Sequence, residues 1–421
     1  MDKFVIKGGR KLSGEVKVSG AKNASLALMP AALLADGEST LTNTPALNDV
    51  YSMIKLLSQL GVEIKFDNHV LNINASNITN QIAPYELVKK MRASVYVLGP
   101  LLTRFGFAKV SLPGGCAWGP RPINLHLEGM KKLGAEISLE EGYIIAKAKK
   151  LTGAKINFDV PSVGATGNVL MAASLAKGTT LINNAAMEPE ITNLIQYLNK
   201  MGARISGINS SILEIEGVDN LYGAEVETIC DRIEAGTLLI AGAITKGKIK
   251  VFGADYLHLY SVLAKLEDAG CKLHINKEFI EVDASNISIK SIDVTTNVFP
   301  GFPTDMQAQW MALMTLADGV SIIQDTIYLD RFGHAPEMLR LGADISVHEN
   351  RATVKGVKKL MGAKVMSTDL RASASLVLAG LAAESTTEVL RVYHLDRGYE
   401  KMEVKLKTLG ADIERVTGSE F

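Results

Sequence analysis

The chain predicts an α/β fold assembled from six copies of one β-α-β-α-β-β unit. Three observations carry that expectation: length, a glycine phrase that returns at even intervals, and helices apolar on every side. At 421 residues the chain exceeds one ordinary hydrophobic core and should form two domains or a repeat array. The phrase is an apolar residue ending a helical segment, then Gly, a small residue and an apolar alternation. Its glycines fall at 61, 134, 202, 270, 342 and 410, with successive spacings of 73, 68, 68, 72 and 68 residues. Spacings this even, filling the chain, mark an internal repeat.

Within a copy the elements follow in order. A short alternating strand (15–18, 155–158, 364–366) leads into a nearly all-apolar helix (23–34, 164–176, 233–244, 306–316, 372–383). Such helices must be buried, so they belong in a core surrounded by sheet. A second strand follows at 108–112, 180–183, 248–252 and 321–324. Next comes an amphipathic helix, with apolar residues at i, i+3 and i+4 such as Met53, Leu56, Leu57 and Leu60. The recurring Gly ends it as a left-handed cap. A hairpin closes the copy, turning at Asp67-Asn68, Glu141-Gly142 or Glu349-Asn350. The sixth copy lacks room for a complete hairpin. The opening strand, 3–7, is the candidate to finish it, which makes that domain discontinuous.

Composition narrows the function classes. The chain is 47% hydrophobic and 21% charged, which suits a globular protein rather than a disordered one. Lys plus Arg and Asp plus Glu both total 45, and a nucleic-acid-binding chain usually carries a basic excess. The three cysteines, Cys116, Cys230 and Cys271, form no C-x-x-C pair, and the seven histidines show no ligand spacing. A reducing cytoplasm and the absence of metal are therefore expected. The N-terminus lacks the apolar stretch of a signal peptide, and the apolar runs fall short of the roughly 20 residues that a membrane span needs.

The topology predicts where chemistry can occur. The strands of a β-α-β unit run parallel, so the loops leaving their C-terminal ends share one face, where α/β proteins bind ligands. Polar residues recur there: Lys22-Asn23, Arg92, Ser162-Val163-Gly164, Asp231-Arg232, Asp305 and Asp369 to Arg371. The second set of loops adds Cys116 to Leu125, Ile327 to Arg331 and Asp396-Arg397. With helix N-termini beside them, these cations form a focused anion site in a chain of zero net charge. Asp and Arg near helix starts also serve as caps or local ion pairs, and Ser162-Val163-Gly164 is open to both roles. The stretch 112–122, Leu-Pro-Gly-Gly-Cys-Ala-Trp-Gly-Pro-Arg-Pro, displays Cys116 on a loop with Arg121 five residues on. That cation favours the thiolate and can hold an anionic substrate. An ordinary loop with an incidental cysteine reads the same way in isolation.

These residues resemble the enolpyruvyl transferase family, in particular the branch acting on UDP-N-acetylglucosamine in bacterial peptidoglycan synthesis. The resemblance runs nearly end to end. Its most specific pieces are Ser19-Gly20-Ala21-Lys22-Asn23-Ala24, Met91-Arg92-Ala93-Ser94, the 112–122 stretch, and Phe302-Pro303-Thr304-Asp305-Met306-Gln307-Ala308-Gln309. Thr368-Asp369-Leu370-Arg371-Ala372-Ser373-Ala374-Ser375 and Asp396-Arg397-Gly398-Tyr399-Glu400 complete the set. Trp118 departs from it, since that family carries a smaller aliphatic residue there.

The resemblance implies two inside-out, barrel-like α/β domains of three repeats each, facing across a cleft, divided as 22–229 and 1–21 plus 230–421. It implies transfer of the enolpyruvyl group of phosphoenolpyruvate to the 3′-hydroxyl of UDP-N-acetylglucosamine, with release of phosphate and without a cofactor. Catalytic roles fall to Cys116 as proton donor, Asp305 as base, Lys22 and Arg397. Phosphoenolpyruvate, carrying a carboxylate and a phosphate, would be held by Lys22, Asn23, Arg121, Arg371, Arg397 and Arg331. The nucleotide sugar would meet Arg92, Arg121, Pro122, Ile123, Asn124, Leu125, Ser162, Val163, Gly164, Asp305 and Ile327. Partners are therefore small molecules, with neither nucleic acid nor membrane, in the cytoplasm. Oligomeric state is not specified, a monomer being one allowed state. The enzyme acting on shikimate 3-phosphate shares the architecture but lacks the cysteine loop. An RNA 3′-terminal phosphate cyclase shares the repeat but needs a nucleotidyl-accepting histidine and a basic groove. A silent nucleotide-sugar sensor would not need Lys22, Cys116, Asp305 and Arg397 together.

Overall fold

All six repeat glycines adopt left-handed backbone, with φ of 100°, 95°, 106°, 99°, 86° and 92° from Gly61 to Gly410. A β-carbon is strained in that region, so glycine is the residue that stops each amphipathic helix and turns the chain into its hairpin. The structure, a computed structural model, describes residues 2–89, 91–112 and 123–417.

Among the described residues, strands form six four-stranded sheets of one pattern. In the sheet ordered Lys155–Asn157, Thr179–Asn183, Ile212–Glu216, Arg204–Ser206, the first pair is parallel and the other two antiparallel. Parallel pairing places the buried helix Val163–Ala173 in the crossover. Chain contacts divide the protein into two units. One is Gly20–Ile229; the other joins the residues up to Ser19 with those from Cys230 onward. Each has its own hydrophobic core. In the discontinuous unit the helices Arg232–Ile244, Gln307–Met314 and Leu370–Ala382 pack pairwise on one another. In Gly20–Ile229 the helix Leu98–Phe105 packs on Val163–Ala173, and Lys22–Ala31 packs on the 3₁₀ segment Arg92–Val97.

Two copies differ from the simple unit. Ser13–Lys17 pairs in parallel with Lys248–Phe252, while Glu38–Thr42 takes Glu225–Glu227 as its parallel neighbour. The first and fourth copies have thus exchanged opening strands. The cause is chain path: each of these strands is followed at once by a passage from one unit to the other. Gly20 and Ala21 fall with Gly20–Ile229, two residues earlier than the boundary read from the sequence, because the Ala21 N–H donates to the Ile229 carbonyl. The opening strand Asp2–Lys7 lies between Thr386–Leu390 and Asp412–Thr417, antiparallel to both, and completes the sixth sheet.

Smaller differences are local. The helix expected over 23–34 is α-helical only over Lys22–Ala31, then tightens to 3₁₀ over Ala32–Leu34. The 306–316 helix begins as the 3₁₀ turn Thr304–Met306 before Gln307–Met314. The first hairpin turns one residue later than expected, with Asn68 and His69 both left-handed. Among the described residues no helix is long and apolar enough to cross a membrane.

Candidate active site

In the discontinuous unit three of the predicted residues meet directly. Asp305 sits in the turn that opens a buried helix, and each of its carboxylate oxygens faces a guanidinium. Arg331 Nη2 lies 2.8 Å from Oδ1 and Arg371 Nη2 lies 2.7 Å from Oδ2. The two arginine side chains are only 7% and 6% exposed, against 25% for the carboxylate, so the anion is the part that solvent reaches. Burial alone would raise the Asp305 carboxyl; the Arg371 and Arg331 charges overcome it and hold the group well below the ordinary carboxylate range. For Arg371, burial opposes the charged form and Asp305 reverses that effect, raising it.

Both arginines are fixed from behind. Arg331 Nη1 donates to Thr304 Oγ1 at 2.9 Å, and that hydroxyl donates to Asp325 Oδ2 at 2.7 Å. Asp325, wholly buried, also accepts from the Thr296 hydroxyl and from the N–H groups of Ile327 and Tyr328, each at 2.9 Å. This one carboxylate therefore shapes the loop that carries Ile327 and Arg331. Arg371 Nη1 donates to the Tyr399 hydroxyl at 3.2 Å. Asp369 and Asp231 act as caps: their carboxylates accept from Arg371 and Ala372 N–H, and from Ile233 and Glu234 N–H. Arg397 ends the 3₁₀ segment Val392–Arg397, two residues before Tyr399. Next to Arg331, His334 is buried, and burial first, then the Arg331 charge, push its imidazole down to about 3.

In Gly20–Ile229 the chemistry differs. Lys22 opens the helix Lys22–Ala31 and pairs with the buried Asp49 at 3.0 Å; Asn23 beside it is exposed. Ser162 caps Val163–Ala173, its hydroxyl accepting from Ala165 N–H at 3.3 Å, which resolves its local role as a cap. A β-carbon on Gly164 would come within 2.9 Å of His126 Nε2, so the imidazole faces this helix start. His126 is buried, and burial together with the Arg92 charge pushes it down to about 4. Its tautomer follows from Asn168, whose amide oxygen accepts from Gly99 N–H at 2.7 Å. The Asn168 amide nitrogen must then donate to Val95 O and to His126 Nδ1, at 2.9 and 3.1 Å. That leaves the proton on Nε2, aimed at the helix N-terminus. Ile123 and Asn124 start the helix Asn124–Lys132, with Leu125 buried beneath them.

Cys116, Arg121 and Pro122 lie outside the described residues. Reading the sequence missed roles for His126, Asn168, Asp325, Thr237 and Gln309. A signal existed for several: each of Asn168, Thr237 and Gln309 is a polar residue inside a buried helix, where it must be hydrogen-bonded. Among the described residues no group of three or more His, Cys, Asp and Glu side chains is placed to hold a metal ion.

Six repeated α/β units, with a carboxylate clasped by Arg371 at a buried helix start and by Arg331 in a loop, suit a protein that handles anions. The family described as EPSP synthase (3-phosphoshikimate 1-carboxyvinyltransferase) matches residues 6–406. A UDP-N-acetylglucosamine 1-carboxyvinyltransferase of Chloroherpeton thalassium is 60% identical over 424 aligned positions, covering 100% of this chain and 99% of its own. A protein of the same name from Geotalea daltonii is 55% identical, covering 99% of this chain and 100% of its own. Among solved structures, the enolpyruvyl transferase NikO from Streptomyces tendae superposes with a TM-score of 0.89 at 26% identity, covering 99% of both chains. EPSP synthase from Acinetobacter baumannii gives 0.79 at 16% identity, covering 99% of this chain and 100% of its own, and shares the fold. The chain belongs to the enolpyruvyl transferase family, grouping with its UDP-N-acetylglucosamine 1-carboxyvinyltransferases.

Proposed function

We propose that this chain transfers the enolpyruvyl group of phosphoenolpyruvate to the 3′-hydroxyl of UDP-N-acetylglucosamine, releasing phosphate. The observation that carries this reading is 60% identity over the whole chain to a relative named UDP-N-acetylglucosamine 1-carboxyvinyltransferase. In the proposed course, the sugar oxygen bonds to C2 of phosphoenolpyruvate while the Cys116 thiol gives its proton to C3. The 3′-hydroxyl proton passes to Asp305. The thiolate then takes a proton back from C3 as the C–O bond to phosphate breaks, leaving the enol ether and inorganic phosphate. Lys22, Asn23, Arg121, Arg331, Arg371 and Arg397 hold the anionic donor. Arg92, Ser162, Val163 and Gly164 take the diphosphate, joined by Arg121 to Leu125 and Ile327 on the nucleotide sugar.

The ion pairs add a condition to the base role. A carboxylate held by two guanidiniums is a weak proton acceptor. The carboxylate and phosphate of the donor compete for those same N–H groups, and each bond they take returns proton affinity to Asp305. Base strength is thereby tied to occupancy by the anionic substrate. Phosphate release measured with both substrates, each alone, and shikimate 3-phosphate in place of the nucleotide sugar tests the assignment. Release is expected only with phosphoenolpyruvate and UDP-N-acetylglucosamine together. Release with shikimate 3-phosphate, or none with the pair, overturns it.

A further inference from the structure

We propose that Tyr399 is a positioning residue for this reaction, its hydroxyl fixing the Arg371 guanidinium against Asp305. The inference rests on the function proposed above. Tyr399 is 2% exposed, and its hydroxyl has three polar neighbours: Thr237 Oγ1 at 2.9 Å, Gln309 Nε2 at 3.1 Å and Arg371 Nη1 at 3.2 Å.

The hydrogens in this cluster can be assigned by counting. Arg371 and the Gln309 amide nitrogen can only donate here, so neither can take the Tyr399 proton. Its own proton must go to Thr237 Oγ1, and the Thr237 hydroxyl donates to the Ile233 carbonyl at 2.7 Å. The order runs one way and leaves Tyr399 as a fixed acceptor for Arg371. Gln309 Nε2 also lies 3.1 Å from Thr237 Oγ1 and 3.0 Å from the Asp305 carbonyl, which binds the backbone of the Asp305 turn into the same cluster.

Thr237, Gln309 and Arg371 come from three different buried helices whose other residues are mostly apolar. Burying hydroxyl, amide and guanidinium groups costs free energy that apolar side chains would not incur, and only complete mutual bonding offsets it. Stability alone is therefore a poor reason for this cluster. What it accomplishes is orientation: with Nη1 engaged by Tyr399, Arg371 presents Nη2 to Asp305 in one geometry. The charged and titratable groups acting on the cluster are Asp305, Asp231 and Arg331, with His334 beside Arg331.

The test compares wild type with Tyr399→Phe, and with Thr237→Val should the first variant fold poorly. The Asp305 carboxyl is followed by ¹³C NMR in the ligand-free full chain from above the ordinary carboxyl range, about pH 6, down to the lowest pH at which the chain stays folded. In parallel, kcat and KM are measured against pH. With Arg371 no longer fixed, Asp305 is expected to titrate at higher pH than in wild type. The acid limb of kcat should move upward with it, and kcat should fall about tenfold, as for one lost bond to a charged group. The KM for phosphoenolpyruvate should change less. A lowered melting temperature with an unmoved Asp305 titration and acid limb overturns the proposal, as does a downward shift. If wild type releases no phosphate, the assigned reaction fails while the NMR comparison still decides the role of Tyr399.

Discussion

Buried helix starts drawn from the two units carry opposite chemistry at the same structural position. In the discontinuous unit the helix starts carry Asp305 and Arg371, full charges locked together with Arg331 at 2.7–2.8 Å. In Gly20–Ile229 the start of Val163–Ala173 carries a serine cap, a glycine and a histidine held neutral by burial. The first arrangement is strong, directional and dependent on counter-charge. The second offers N–H groups and a helix dipole, suited to an extended anion such as a diphosphate, and adds no mobile charge of its own. One repeat can thus supply both a reactive, charge-coupled centre and a passive cradle, provided the loop residues differ.

The sharpest way to break that contrast is Asp305→Ala. Turnover should fall by about 10²–10⁴-fold while affinity for the nucleotide sugar shifts far less; calorimetric binding beside phosphate release checks this, and an equal loss of affinity erases the division. Cys116→Ser should cost at least about 100-fold in turnover, and abolish alkylation by an epoxide of the fosfomycin type, with nucleotide-sugar binding kept. Unchanged turnover would remove the thiol from the reaction. Asp325→Ala tests whether the charged centre depends on its support. Four donors lose their acceptor, so urea unfolding should show a loss of about 4 kcal/mol.

A subtler effect is acid sensitivity. Burial, and then the Arg92 charge, push the His126 imidazole down to about 4 in the folded chain, against the ordinary 6.5 when unfolded. Between those values the unfolded chain binds the extra proton, so stability falls as pH drops through this window and is level above it. His126 alone contributes about 3 kcal/mol to that fall. In His126→Gln, unfolding at pH 6.5 and 4.5 should lose most of this share and retain that of His334. The smallest effect belongs to Gly164→Ala, whose methyl meets His126 Nε2 at 2.9 Å; a loss of about 1–2 kcal/mol is expected, with weaker nucleotide-sugar binding and little change in kcat.

Much of this was legible in the chain. Each repeat glycine announced a left-handed cap, and all six adopt one, because local backbone geometry alone makes that demand. The exchanged strands were not legible: Ser13–Lys17 and Glu225–Glu227 look like ordinary opening strands, and only the path between units decides their partners. At the site, Asp305, Arg331 and Arg371 declared themselves by their loops. The supporting groups did not, because Thr237, Gln309 and Asn168 are single polar residues in apolar runs whose polar side-chain partners lie 42 to 162 residues away. Asp325 reads as an unremarkable loop carboxylate until its four donors are seen.

The strand Asp2–Lys7 has a consequence for biosynthesis. Its neighbours, Thr386–Leu390 and Asp412–Thr417, are made only after the intervening repeats. At roughly 5–20 residues per second, Asp2–Lys7 waits on the order of 20–80 seconds for those strands with both hydrogen-bonding edges bare. Phe4 and Ile6, wholly buried at the end, spend that interval without their final shelter. Premature termination would therefore leave both edges of that leading strand permanently unmatched, a template for clumping of abortive products.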